Sequence, residues 1–249
     1  MKVTIITVVF NNINTIQHAI QSVISQTYKN IEYIIIDGGS TDGTLEKINE
    51  YKDQISQLIS EPDKGIYDAM NKGVNRATGD IVAILNSDDF YTNEFVIEKV
   101  VKKFSESDCD GVYGDLDYVD NVELDRITRH WKSGHYKDGA FLYGWMPPHP
   151  SFFVKNDTYR KYGIFNLSLK SAADYELMLR FIHKNKIEIC YLPEVLVKMR
   201  IGGASNSSLK NRLAANREDR RAWKLNGLTP YFFTITLKPL RKIFQFILR

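Results

Sequence analysis

Cysteine is scarce: Cys109 and Cys190 are the only two in 249 residues. Two thiols in separate apolar contexts make no disulfide framework and match no metal-ligand spacing, so they read as reduced, buried groups of a cytoplasmic protein. Long apolar runs are missing too. No stretch reaches the ~18 consecutive apolar residues of a membrane span. The chain enters a β-branched run at Lys2–Phe10 without the basic and apolar regions of a secretory signal. Disorder is excluded as a main theme by 43% apolar and 25% charged residues, the balance of an ordinary folded domain.

A strong overall charge is also absent, since the formal net is +3, but the charge is unevenly placed. Residues 210–249 carry ten Lys or Arg against Glu218 and Asp219, a net of +8, which leaves the remaining body at −5. From Pro239, the residues Leu240, Ile243, Phe244, Ile247 and Leu248 share one helical face beside Lys238, Arg241, Lys242 and Arg249. Thr229-Pro230 and Lys238-Pro239 read as helix starts with Pro in the first position. A basic, aromatic amphipathic helix suits an anionic lipid surface, placing the chain at the inner face of the cytoplasmic membrane. The competing reading docks the helix on its own domain or on a second copy, as a homodimer. Nucleic acid is excluded as a partner, because the body is acidic and shows no binding motif.

The first ninety residues alternate strand and helix signals: Val3–Phe10, Glu32–Asp37, Gln57–Glu61 and Asp80–Asn86 as strands, and Thr15–Gln26, Asp42–Tyr51 and Gly65–Ala77 as helices. Continuous apolar strands between helices predict an α/β fold, a mostly parallel central sheet with helices on both faces. Such sheets bind ligands at the carboxyl ends of their strands. Two strands end in acidic clusters, Asp37-Gly38-Gly39-Ser40 and Ser87-Asp88-Asp89, which parallel pairing would bring to one rim. Adjacent carboxylates oppose packing unless a cation neutralises them, and magnesium or manganese bridging phosphates does so. The bland alternative is a solvated loop with Asp88 as a helix cap. Beyond residue 110, Gly111–Tyr118, Glu123–Trp131, Ser151–Val154 and Val195–Met199 read as strands, Gly134–Pro150 as a shaped loop and Asp174–Lys184 as a helix.

The colinear set TVVFNN, IIIDGGSTDGT, SEPDKGIYDAMNKGVNRATGDIVAILNSDD, HPSFFV, YRKYGIFN, SAADYELMLR and MRIGGAS resembles glycosyltransferase family 2, of the Rossmann-like GT-A fold, in its bacterial exopolysaccharide and capsule branch, which includes colanic-acid-type enzymes. The resemblance covers about residues 1–205. It implies a GT-A domain there, with residues 1–110 binding the nucleotide sugar and residues 111–205 the acceptor, followed by a helical extension over 206–249. It also implies that Thr7, Val9 and Asn11 line the nucleobase pocket, that Asp37 with Gly38 contacts the base, and that Asp63 and Lys64 border the nucleotide. Ser87-Asp88-Asp89 stands at the DXD-type motif, Asp88 for the ribose or sugar and Asp89 for a divalent metal. The base falls on Asp174, where Ala173 departs from the Glu many members carry. The expected chemistry is inverting transfer of a sugar from a nucleotide-diphosphate donor, UDP favoured, to the hydroxyl of a saccharide acceptor that is lipid-linked in this branch. Asp174 would take the proton, and the metal would steady the leaving diphosphate.

Arg200 with Gly202 and Gly203 suits a diphosphate, and Trp145, Tyr143 and His149 are acceptor-side candidates that core packing explains as well. Helical spacing pairs Asp68 with Lys72, and a helix N-cap is the structural alternative for Asp174. A sugar nucleotidyltransferase is disfavoured by Phe10-Asn11-Asn12, where its basic Gly-rich loop would stand. A catalytically silent nucleotide-sugar or polysaccharide-binding protein is disfavoured by the intact Asp89 and Asp174.

Overall fold

The computed structural model describes residues 1–202 and 209–247, with side chains for 1–202 and 215–241. Nine strands run in chain order as β1 (Val3–Val9), β2 (Ile31–Asp37), β3 (Gln57–Ser60), β4 (Ile81–Ile84), β5 (Asp89–Tyr91), β6 (Gly111–Val119), β7 (Ile127–Trp131), β8 (Phe152–Lys155) and β9 (Ile189–Arg200). The helices are α1 (Ile16–Ile24), α2 (Thr44–Asn49), α3 (Ile66–Arg76), α4 (Val96–Glu106), α5 (Asn156–Tyr162), α6 (Ala173–Met178), α7 (Leu209–Leu225) and α8 (Thr234–Ile247).

One sheet runs β3-β2-β1-β4-β8-β6-β9-β5, with β7 beside β6. The quartet β3-β2-β1-β4 is parallel, and β6 and β9 are parallel to each other. Antiparallel β8 sits between β4 and β6. Two reversals restore direction, so the carboxyl ends of β1, β2, β4, β6 and β9 share one rim. The apolar runs of β1 and β2 follow from burial on both faces. Ile6, Val8, Ile34, Ile36, Val82 and Ile84 enter one core. Their neighbours Ile5, Val9, Ile35, Ile81 and Ala83 enter the other, as period-two alternation requires. Helix α1 covers the second core with Ile16, Ala19, Ile20 and Val23. Helix α3 covers the first with Tyr67, Met70 and Val74. It approaches so closely that a Cβ on Gly73 would lie 2.4 Å from Ile6 Cγ2.

Several local expectations are corrected. The predicted helix over Asp174–Lys184 is α6 followed by a π-helical stretch, Leu179–Lys184. Pro193 lies inside β9, where the β6–β9 register jumps between Tyr113↔Tyr191 and Asp115↔Val195; an irregularity of this kind tolerates a residue without an N–H. Lys72 reaches Glu61 (3.0 Å) and the Pro62 carbonyl instead of Asp68, which accepts from Lys64 N. The two thiols are not in separate contexts: Cys190 packs against the core that holds Cys109, and burial first, then the neighbouring Cys190, pushes the Cys109 thiol up to about 12.

The C-terminal extension packs on the body. Trp223, fully buried on α7, donates to Tyr175 Oη of α6 (2.9 Å). Glu218 accepts from Lys170 N and Ser171 N, and Arg221 donates to the Ser168 carbonyl. These bonds hold the loop that leads into α6. Helix α8 starts at Thr234, not at Pro230 or Pro239, and Pro239 lies in its interior. Proline supplies no N–H there, so the helix bond to the Ile235 carbonyl is forfeited. Docking outweighs that loss: Thr234 Oγ1 donates to the Leu142 carbonyl, and Lys238 pairs with Asp219 (2.8 Å) while standing 3.7 Å over the Tyr175 ring. The apolar and basic residues expected beyond Arg241, and Gly203-Ala204-Ser205, lie outside the described residues and side chains.

Candidate active site

Three loops leaving the rim are stapled together. After β1, Asn11 adopts a left-handed backbone (φ 47°), its N–H donates to Ser40 Oγ (2.8 Å) and its Oδ1 accepts from Thr41 N (2.9 Å). Asn12 donates through N to Thr44 Oγ1 and through Nδ2 to Ser87 Oγ, both at 2.8 Å. Thr15 Oγ1 donates to the Ser87 carbonyl (2.8 Å). The loops after β1, β2 and β4 thus form one surface.

Asp37 closes β2 fully buried, accepting from Gly39 N, Ser40 N, Ser40 Oγ and Ser60 Oγ. Its first task is to hold the DGGS turn. A Cβ on Gly38 would lie 2.4 Å from Asp63 Oδ2, so glycine lets Asp63 fold over that turn. Asp63 accepts from Gly65 N (2.8 Å), and Lys64 beside it is exposed. Thr7 and Val9 are strand residues with buried side chains. Thr7 is fully buried with its hydroxyl bonded to Tyr33 Oη (3.1 Å), and Val9 is 4% exposed in the core beneath α1. Strand alternation turns both side chains into the core.

The second acidic group enters β5. Asp89 is fully buried, opposite Met199 of β9. Its Oδ2 accepts from Asn86 Nδ2 (2.9 Å), while its Oδ1 has no hydrogen-bond partner. Burial first, then the neighbouring Asp88 charge, pushes the Asp89 carboxyl well above the usual carboxylate range, against Asn86 and Arg200. Burial also raises Asp88. A buried carboxylate oxygen with no donor, beside a second carboxylate, is what a hard cation satisfies. No three His, Cys, Asp or Glu residues converge among the described residues. Asp88 and Asp89 therefore fit a metal only as partial ligands, completed by phosphate oxygens and water. Arg200, 5% exposed, donates from Nη1 to the Asp88 carbonyl (2.7 Å) and lies over the Phe90 ring.

Asp174 is half-buried in the first turn of α6, where Ala172 is the N-cap, so the capping alternative does not apply. Tyr67 of α3 donates its hydroxyl to Asp174 Oδ1 (3.1 Å) while stacking on Phe165. His149, 8% exposed, packs its ring edge against Phe165, and burial lowers its pKa against the pull of Asp174. The Tyr118 phenol is raised chiefly by burial, and the charges of both Asp89 and Asp174 add to it. Both carboxylates therefore act on one phenol at the end of β6. Trp145 is 6% exposed, donating Nε1 to the Ser133 carbonyl (2.9 Å) and meeting Tyr113 edge-on. Sequence reasoning missed Tyr67, Asn86 and Tyr118. Tyr67 stands inside GIYDAM, the segment from which the sequence reading takes only Asp68. Asn71 clamps Phe165, donating to its carbonyl and accepting from its N–H.

A family model described as Glycosyl transferase family 2 matches residues 4–165. The chain belongs to glycosyltransferase family 2. Among its family relatives, an uncharacterized glycosyltransferase of Mycobacterium tuberculosis is 34% identical over 182 residues, spanning 72% of this chain and 68% of that protein. A PGL/p-HBAD biosynthesis glycosyltransferase of Mycobacterium bovis is 28% identical over 193 residues, spanning 76% and 73%. The structure of S. aureus TarS 1–349 in complex with UDP-GlcNAc superposes with a TM-score of 0.70 at 17% identity, covering 91% of this chain and 65% of that one, just under two thirds. Mannosyltransferase PcManGT from Pyrobaculum calidifontis, in complex with GDP-Man and Mn2+, gives 0.67 at 18% identity, covering 95% and 68%. At these identities the likeness establishes the fold, which is GT-A.

Proposed function

We propose that this glycosyltransferase inverts the anomeric centre, depends on a divalent metal, and moves a sugar from a nucleotide-diphosphate donor, UDP-linked first, to a saccharide hydroxyl. The acceptor is a lipid-linked saccharide of bacterial surface polysaccharide synthesis, met at the inner face of the cytoplasmic membrane. The observation that carries this reading is the buried, partnerless Oδ1 of Asp89 at the rim, and the bond from Tyr67 at the start of α3 to Asp174 supports it. The donor complexes of TarS and PcManGT support the donor class, and the Mn2+ of the latter supports the metal.

In this reading residues 1–110 hold the donor, residues 111–205 face the acceptor, and residues 206–249 brace α6 and reach the membrane. Asn11, Asp37, Gly38, Asp63 and Lys64 border the nucleoside. Asp88 meets the ribose or the sugar, and Arg200 adds positive charge near the diphosphate. Asp88 and Asp89 would hold the metal, which when bound supplies positive charge to the leaving diphosphate. Asp174 accepts the proton of the attacking hydroxyl, with Tyr67 fixing the carboxylate. Burial keeps His149 neutral beside it. The anomeric carbon is attacked opposite the departing phosphate oxygen, so no covalent enzyme intermediate forms. Membrane contact draws support from exposed Tyr231, Phe232 and Leu240 near Lys224 and Arg241; co-sedimentation with anionic vesicles checks it, and no pelleting would remove it.

The decisive experiment incubates the full chain with UDP- and GDP-sugars, a lipid-linked acceptor, and either manganese or a chelator. The product anomer is then read by NMR. Metal-dependent transfer with inverted configuration is expected. Donor binding without transfer or hydrolysis under any condition would instead indicate a silent binding protein.

A further inference from the structure

One cavity of about 700 Å3 lies apart from the nucleotide rim, between β6–β7, the Gly144–Met146 segment and the start of α8. Its carboxylates are Asp115 and Asp117, two residues apart on β6. Asp117 is 5% exposed and bonds His130 Nδ1 (2.6 Å) across the β6–β7 pair. Asp115 accepts from Tyr191 Oη (2.8 Å) and Ser133 N (2.7 Å), and burial raises its carboxyl above the ordinary range. Trp131, Trp145 and Tyr191 supply aromatic wall. Lys132 lines the same space and pulls the Asp115 carboxyl down against burial, while at the α8 side Lys238 is bound to Asp219 and Arg241 donates to the Tyr143 carbonyl.

Acid oxygens beside aromatic faces suit a ligand that donates hydroxyls and presents a C–H face. Lys132 and Arg241 line the same space and balance the two carboxylates, so the cavity carries little net charge and suits a neutral ligand. The volume matches a small-molecule site. Trp145 lies in the wall, and four residues on, His149 sits in the field of Asp174. Apart from Lys238 and Arg241, the lining falls within residues 115–195, the half that the proposed function turns toward the acceptor. We propose that it binds a neutral saccharide unit of the acceptor, with Asp115 and Asp117 taking hydroxyl hydrogens and Trp131 and Tyr191 packing on the ring carbons. The proposal rests on the reading that the acceptor is a saccharide, and it adds a subsite that no residue of the DXD cluster provides.

The test is saturation-transfer NMR on the full chain with methyl glycosides of glucose, galactose, mannose, rhamnose and N-acetylglucosamine, with inorganic phosphate as a separate probe. At least one glycoside receives saturation and shifts the tryptophan fluorescence. Asp117→Asn and Trp131→Ala each weaken that binding by about tenfold or more, the effect of losing one bond to a charged acceptor or one stacking face. Thermal melting verifies that each variant folds, and His130→Gln, on the exposed side of the pair, replaces Asp117→Asn if that variant does not. Saturation of no glycoside, binding indifferent to the substitutions, or a response to phosphate alone overturns the proposal. Donor binding by the unaltered chain is measured in parallel: its absence would refute the glycosyltransferase mechanism while leaving glycoside binding to be judged on its own.

Discussion

Replacing Tyr67 with Phe isolates what orients the candidate base. The substitution removes one hydroxyl, which donates to Asp174 Oδ1 at 3.1 Å and also meets the backbone N–H groups of Asp174 and Ala173. The ring remains stacked on Phe165 at 5.7 Å, so the packing of α3 on the first core is kept. A hydrogen bond to a charged acceptor contributes roughly 1.5–3 kcal/mol. Asp174 is only half-buried and water replaces part of that, so about 1.5 kcal/mol is the working figure. If the bond holds Asp174 toward the acceptor hydroxyl, kcat falls by about tenfold, since about 1.4 kcal/mol is a factor of ten. The donor KM stays near that of the unaltered chain, because the buried Tyr67 directs its hydroxyl to Asp174 and not to the preceding Asp63-Lys64 loop. The assay is steady-state transfer at saturating acceptor, with melting temperature as the control. An unchanged kcat, or a rise in donor KM that accounts for the whole effect, would refute the assignment of Tyr67 to the base.

Glu32 gives a pH-dependent prediction far from the chemistry. Burial opposes its charge, but bonds from Thr4, Thr78 and Lys2 outweigh burial and hold the carboxyl at about 2. A depressed folded value means that the stabilisation is present above the unfolded value near 4.5 and is lost as pH falls toward 2. Lys2 is 39% exposed and its share is screened, so about 2 kcal/mol remains at pH 7. Urea unfolding of Glu32→Gln should show that loss at neutral pH and a much smaller one near pH 3; equal losses at both would contradict the network. Asp219→Asn strands the Lys238 cation, 14% exposed, over Tyr175, at a cost of about 3 kcal/mol. Limited proteolysis between α7 and α8 should then accelerate, and an unchanged digestion pattern would show that the pair does not hold α8.

The parallel half of the fold was legible because its sequence leaves few choices. IIID and IVAILN are apolar on both faces, and the polar residues that end them fall on one rim by topology alone. Helix α4 was not singled out, although Val96, Ile97, Val100 and Phe104 carry helical spacing. Strand β5 was beyond reach, because three residues form a strand only by pairing with β9, over a hundred residues later. The docking of the tail was hard to read for a related reason. Its charge and periodicity are local and pointed outward, whereas the contacts that dock it, Asp219 with Lys238 and Trp223 with Tyr175, are set by tertiary structure. Thr7 shows a contact that a motif leaves open. The position matches, and its hydroxyl bonds Tyr33. Tyr67 is another case, a residue within a quoted motif whose contact across the cleft no spacing could reveal.

The central claim is that Asp174 serves the acceptor side of a site whose donor side is built separately around Asp89. Asp174→Asn tests it most directly, with donor affinity measured by calorimetry in the presence of manganese and transfer measured on the same preparation. The account predicts an affinity within about twofold of the unaltered chain and a turnover lower by roughly a thousandfold, within the range a general base supplies. Turnover retained at the level of the unaltered chain would contradict it.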